Sequence, residues 1–329
     1  MNIENIEIGN ITKTKCALCF MSNLANSDLV AEIRYRLNNI DVDSVISAGA
    51  LEQLITDTNE LSVPQVISTE RPDKAASYLL EGRVCVILNG APYAIILPAV
   101  MIDFLKSPDD RNLKVPFANF IRSIRFLAAL ITLLLPGLYV AISSFHQEFL
   151  PTELLFSILA SRETVPFPLI VEILVMEISF ELIREAGLRV PSPIGPTIGI
   201  VGGIVLGQAA VSAGIVSPIL IIIVAITGIS SFAIPDYSFG FHLRFYRFLF
   251  IFLGSMAGFL GISVGLFVYI SLLCNTKSFG TSYTTGLSFV EKVRGSGYII
   301  PPIWKREYRN SFINPKEPKK QSNVSMKWR

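Results

Sequence analysis

Apolar positions change their spacing along this chain near residue 120. Ahead of that point they come as short runs and helical periods broken by charge. Beyond it they come as long runs, 126–145, 197–235 and 248–274, uncharged except at their ends. Runs of this length suit helices that need about 20 apolar residues to cross hydrocarbon. The pattern predicts an α/β soluble domain over 1–110, a linker over 111–120, an all-α multi-pass transmembrane domain of four to six spans over 121–274, and a basic tail over 275–329.

Within the soluble part, 15–21 reads as a strand, and Ser27 caps a helix whose Leu29, Ile33, Leu37 and Ile40 fall at helical spacing. A second helix is expected at about 47–58, a short strand at 65–69 and a third helix from Asp73, with Pro72 in its first turn and Gly82 ending it. Two apolar runs, 84–88 and 91–97, flank Asn89-Gly90, which predicts a type I′ hairpin. Their continuous hydrophobicity suggests strands covered on both faces. A short helical stretch to Leu105 closes the domain.

In the membrane part, Arg122 and Arg125 precede the span at 126–145 and hold that end in the cytoplasm. The short apolar face of Leu154, Leu155, Ile158 and Leu159 predicts an interfacial or re-entrant helix. Segment 167–183 is apolar yet holds Glu172, Glu177 and Glu181, and acids at membrane depth usually face a cavity or a partner. At about 100° per residue, Glu177 and Glu181 lie within roughly 40° of one another, and Glu172 lies roughly 140° from Glu177. After the rigid connector 191–196, Gly199, Gly203 and Gly207 form a row that lets another helix approach closely. The opposite face carries Val201, Val205, Gln208 and Ser212, a candidate pore lining that narrows at an apolar point. The last span, 248–273, carries further small-residue pairs, Gly254 with Gly258 and Gly261 with Gly265. Five spans result if 167–183 crosses, four if it lies in the interface, and six if 151–163 also inserts. The even counts return the tail to the cytoplasm but put Arg244 and Arg247 on the far side, against the positive-inside rule.

Composition agrees with a membrane chain: 51% of residues are hydrophobic and 16% charged. The net charge of +2 hides a gradient, since residues 275–329 hold 11 Lys plus Arg against 3 Asp plus Glu, a local +8 that leaves −6 for the rest. Such a tail, with Lys316, Lys319 and Lys320, suits either anionic headgroups or solvent. The polar first 15 residues contain no apolar leader segment, so the soluble domain is expected in the cytoplasm. Cys16 and Cys19 form a C-x-x-C inside a strand-like run, a place for packing and not for redox chemistry. With His146 and His242 far from the cysteines, no metal site, cofactor or catalytic motif is expected, and neither enzyme activity nor nucleic-acid binding.

Several strings in order resemble one family: Leu150-Pro-Thr-Glu-Leu-Leu-Phe, Arg184-Glu-Ala-Gly-Leu-Arg-Val-Pro-Ser-Pro-Ile-Gly-Pro196, Gly207-Gln-Ala-Ala-Val-Ser-Ala-Gly-Ile-Val-Ser217, Glu70-Arg-Pro-Asp73 and Leu80-Glu-Gly-Arg83. They are similar to the A subunits of GerA-type spore germination receptors, and to the related stage V sporulation protein SpoVAF. The resemblance implies a cytoplasmic α/β domain; typical A subunits carry a further soluble subdomain before it, and this sequence departs from them by beginning near that subdomain's end. It also implies a membrane domain that self-associates into a ring, working with a transporter-like B subunit and a C-type lipoprotein in the inner membrane of endospores. The implied role is an ion-conducting pore lined from the helix beginning at Thr197, with Val201 or Val205 as its narrow point and Gln208 further along. The rival expectation is a non-conducting scaffold that recruits partners through the soluble domain; a membrane hydrolase using the carboxylates is a distant third.

Overall fold

The computed structural model describes residues 1–57, 61–189, 195–287, 297–302 and 306–320. Two compact units emerge. One joins Met1–Ser123 with Ile270–Arg329, and the other is Ile124–Tyr269.

The first unit is built on a five-stranded sheet in the order β1-β2-β4-β5-β3, with β1 Asn2–Ile8, β2 Thr14–Phe20, β3 Ile67–Thr69, β4 Val84–Leu88 and β5 Ala94–Leu97. Every pairing is antiparallel, so helix and sheet mix here without parallel βαβ crossovers. Strand β1, which polar residues disguise in the sequence, pairs from Asn2↔Phe20 to Ile8↔Thr14. Helix α1, Ser27–Asn38, is capped by Asn26, whose side chain accepts from Asp28 N, one residue earlier than expected. Helix α2, Ala48–Ile55, is capped by Ser47, and α3, Pro72–Leu79, starts on its proline. Gly82 follows at φ +95, a conformation that suits glycine. The β4–β5 connection departs from a two-residue type I′ turn. Its last pair is Ile87↔Ala94, and of Asn89 and Gly90 only the glycine has positive φ. Short α4, Met101–Phe104, closes the segment. Cys16 and Cys19 are buried on β2, and burial pushes the Cys16 thiol up to about 12, as it does Cys85 on β4.

The C-terminal segment is part of this unit. Phe279 and Ile313 enter its core beside Ile33, Leu37, Leu51 and Val86. Ser278 Oγ donates to Gln65 O at 2.9 Å and accepts from Ala99 N at 3.4 Å, and Met101 N donates to Tyr283 O at 2.9 Å. Two of the tail's lysines also find partners here: Lys316 Nζ donates to Ser22 O at 3.1 Å, and Lys320 lies 3.5 Å from Glu81. At the centre Arg83, fully buried, donates to Asp103 at 2.6 Å and to Pro98 O at 2.7 Å, and stacks on Tyr78. Burial alone would raise the Asp103 carboxyl, but Arg83, Lys106 and the Val100 N–H outweigh it and hold the group below its ordinary value.

The second unit is helical: the outer part of α5 (Val115–Phe145), α6 (Thr152–Arg162), α7 (Leu169–Arg189), α8 (Gly195–Ser212), α9 (Pro218–Phe232) and α10 (Tyr237–Asn275), whose final turns reach the first unit. Among the described residues two helices, α5 and α10, are long and apolar enough to cross a membrane. The connector at 191–196 lies largely outside the described residues. The expected single span at 248–273 is not one straight helix. Ala257 (φ −139, ψ 16) and Gly258 (φ +59, ψ −137) leave helical geometry, and the arm 259–275 folds back on 237–256. His242 Nε2 meets Tyr269 OH at 2.9 Å, a pair that a continuous helix would hold roughly 40 Å apart. His146 Nε2 accepts from Phe259 N at 3.2 Å, capping the returning arm. Gly258 therefore stands in the bend and not on a packing face. Gly254 does pack: a Cβ there would lie 2.6 Å from Gly137 O on α5, and one on Gly137 would lie 2.6 Å from Phe250 O.

Two outcomes follow from these contacts. Asp103→Asn should cost about 3–5 kcal/mol at neutral pH, the usual price of orphaning a buried charge. Because the folded carboxyl titrates low, its stabilisation is complete above the unfolded pKa of about 3.9 and fades as pH falls through the folded value; the variant's melting midpoint should fall less steeply with acid than the parent's. Gly254→Val should separate α5 from α10, lowering the melting midpoint of the detergent-purified chain, whereas Gly49→Ala, where added volume meets nothing within 4 Å, should not.

Candidate functional site

The three acids of α7 singled out by the sequence, Glu172, Glu177 and Glu181, all lie against arginines. Glu177, buried, lies 2.7 Å from Arg247 of α10, an ion pair by distance whose angles do not make a hydrogen bond. One turn on, Glu181 accepts from Arg244 Nε at 2.7 Å, with Arg184 Nη1 4.0 Å away. Acids four residues apart on α7 thus meet arginines three residues apart on α10 in antiparallel order. Glu172 faces elsewhere: its Oε1 accepts from Arg162 of α6 at 3.4 Å, and its Oε2 from Ser217 N at 3.2 Å, at the start of α9. A carboxylate at a helix N-terminus also complements the helix dipole. The expected angular split of these acids is the split that their partners occupy.

Arg184 extends the cluster to α9, donating to Ser231 Oγ and stacking over Phe232 at 4.2 Å. Beside it, α7, α8, α9 and α10 enclose a cavity of about 450 Å³, charged where Glu177, Glu181, Arg184, Arg244 and Arg247 converge and apolar along Phe180 and Ile221.

Helix α8 has two distinct faces. A Cβ on Gly203 would meet the Phe180 ring at 3.1 Å, and one on Gly207 would meet Ile221 at 3.3 Å, so this side lies against α7 and α9. Val205 is 62% exposed, and Gln208 and Ser212 are exposed too. Those three fall within roughly 60° of one another; Val205 and Ser212 lie on the far side from Gly203 and Gly207, while Gln208, about 100° from Gly207, also lines the cavity. The side chain of Val201 and the surroundings of Gly199 lie outside the described residues. Sequence reasoning named the acids without their partners and missed Gly137. The signal for the former was present, since acids at i, i+4 in one apolar segment and arginines at i, i+3 in another must neutralise something.

Comparison with known proteins places residues 1–312 within the Bacillus/Clostridium GerA spore germination protein family. The chain is 40% identical over 320 residues to spore germination protein KA of Bacillus subtilis (strain 168), covering 97% of this chain and 59% of that protein. It is 42% identical over 281 residues to spore germination protein B1 of the same organism, covering 85% and 58%. This chain thus spans less than two thirds of either relative. Among solved structures, the N-terminal domain of the A subunit of the Bacillus megaterium spore germinant receptor GerK3 matches at 43% identity and TM-score 0.25, covering 30% of this chain and 79% of that one.

The buried pair gives a direct test. Arg247→Met should destabilise the purified chain by about 3–5 kcal/mol, because it leaves Glu177 buried and unpaired, and adding Glu177→Met should recover most of the loss. Thermal unfolding of both variants in the same detergent measures the difference.

Proposed function

From the premise that this chain belongs to the Bacillus/Clostridium GerA spore germination protein family, we propose that it is a non-enzymatic A-type membrane subunit of a nutrient-triggered germination receptor. It works in the inner membrane of the endospore with a transporter-like B subunit and a C-type lipoprotein, and self-associates into a ring around an ion-conducting pore. The observation that carries the pore reading is the division of α8. Gly203 and Gly207 lie against α7 and α9, while Val205, Gln208 and Ser212 form an exposed stripe. In a ring, such stripes line a channel with an apolar constriction at Val205 and polar side chains further along, an arrangement that gates by dewetting. Paired charges inside an apolar helix assembly also fit a membrane subunit better than a plain anchor.

The first unit supports a reading for the side of the tail. Phe279 and Ile313 enter its core, so with that unit in the cytoplasm the described part of the tail lies there too, and an even number of crossings is the reading that fits.

Val205→Ser and Val201→Ser should each raise ion efflux severalfold in the absence of nutrient, measured in spores or in proteoliposomes of the assembled receptor. Normal assembly with efflux at baseline in both would remove the pore reading and leave the scaffold.

A further inference from the structure

The cavity beside the charge cluster has a chemistry that the ion pairs do not use, and of the pore stripe only Gln208 reaches its lining. Three guanidinium groups, Arg184, Arg244 and Arg247, face two carboxylates, Glu177 and Glu181, so one positive charge is left over at its lining. The next acid along α7, Glu185, is 2.8 Å from Arg189 and does not line the cavity. Buried Arg184 Nη1 and Arg247 Nε have no hydrogen-bond acceptor, and the Glu177 oxygens have no hydrogen-bond donor. A complementary guest carries one negative charge, acceptor oxygens and at least one hydroxyl.

Two further observations give the rest of the guest. Arg184 is five residues from the end of α7 and Arg244 seven from the start of α10, so both lie within about 10 Å of helix ends, the depth of a headgroup, and Arg247 lies one turn deeper, at about 15 Å. The apolar wall is also open to the outside: Ile222, Ile229 and Phe232 line the cavity and are 57%, 71% and 56% exposed on α9. A chain of methylenes can leave the cavity along that surface.

We propose that this cavity binds an anionic glycerophospholipid whose headgroup combines a phosphodiester monoanion with free hydroxyls. The phosphate accepts from Arg184 and Arg247, an arginine–phosphate geometry that favours paired donors. A headgroup hydroxyl donates to Glu177, and an acyl chain runs past Ile222 and Ile229. Basic pockets between membrane helices are general sites for such headgroups. The site goes beyond the pore reading and stands without it.

The test uses the full chain purified in detergent and exposed to phosphatidylglycerol, phosphatidylcholine or inorganic phosphate, with retained lipid counted by mass spectrometry and the melting midpoint followed. Phosphatidylglycerol should be retained about tenfold over phosphatidylcholine, and Arg184→Gln should reduce that retention about tenfold. Ile229→Glu should do the same by placing a repelling charge on the chain's path, and the comparison of the two lipids on the parent chain decides the matter if neither variant folds. Glu185→Gln, outside the cavity, should retain lipid like the parent. Equal retention of the two lipids, or unchanged retention in Ile229→Glu, overturns the proposal; a midpoint rise reproduced by inorganic phosphate alone reassigns the cavity to small anions and overturns it too.

Discussion

A carboxylate or guanidinium inside an apolar helix assembly costs several kcal/mol unless an opposite charge meets it, and in the helical unit that requirement falls on α7. Its acids point in two directions, and each direction is answered by a different helix. Arg162 of α6 and the first amide of α9 meet Glu172, while Arg247 and Arg244 of α10 meet Glu177 and Glu181. Rotating α7 about its axis to improve one set would orphan the other. The ion pairs therefore fix its orientation, and with it the position of Phe180, against which Gly203 of α8 and Gly228 of α9 lie. The open stripe of α8 faces away because the glycine face is the one that can approach α7.

Close backbone approach does the complementary work on the α5–α10 side. Gly137 and Gly254 bring the two helices to a distance that no side chain permits, and three residues beyond Gly254 the second helix bends back. Bending frees backbone groups that must find partners away from water. His146, just past the end of α5, supplies one by accepting from Phe259 N, and its ring stacks on Phe259 at 4.5 Å. Helix contact, bend and cap thus occupy a few residues of two elements and depend on one another.

These dependencies explain what could be read from the sequence. Local signals were legible where one residue carries them: Pro72 at a helix start, Gly82 and Gly90 at positive φ. The helical spacing of Leu29, Ile33 and Leu37 also maps to a buried face. Strand β1 was not legible, because an edge strand that covers one face needs only Ile6 and Ile8 inside, with Glu4 on the same face paired to Arg34 of α1 and Glu7 exposed. The bend at Ala257–Gly258 reads in sequence as one more pair in a row of small residues, and only the returning contact of Tyr269 with His242 separates the two meanings. The arginines that meet Glu181 and Glu177 lie 63 and 70 residues away, so no local period joins them, and the matching i, i+4 and i, i+3 spacings are the one trace of the pairing in the sequence.

The same pairs bear on the conflict between Arg244, Arg247 and the positive-inside rule. That rule reflects the cost of moving free cationic charge across the bilayer, and it counts residues near the ends of spans as if each were unpaired. Here Arg244 and Arg247 lie 2.7 Å from Glu181 and Glu177, so the pairs move as neutral units and carry little orienting weight. Arg122 is likewise held, 3.0 Å from Asp110, and both residues belong to the first unit. Discounting the neutralised pairs removes the objection that Arg244 and Arg247 raise against an even number of crossings.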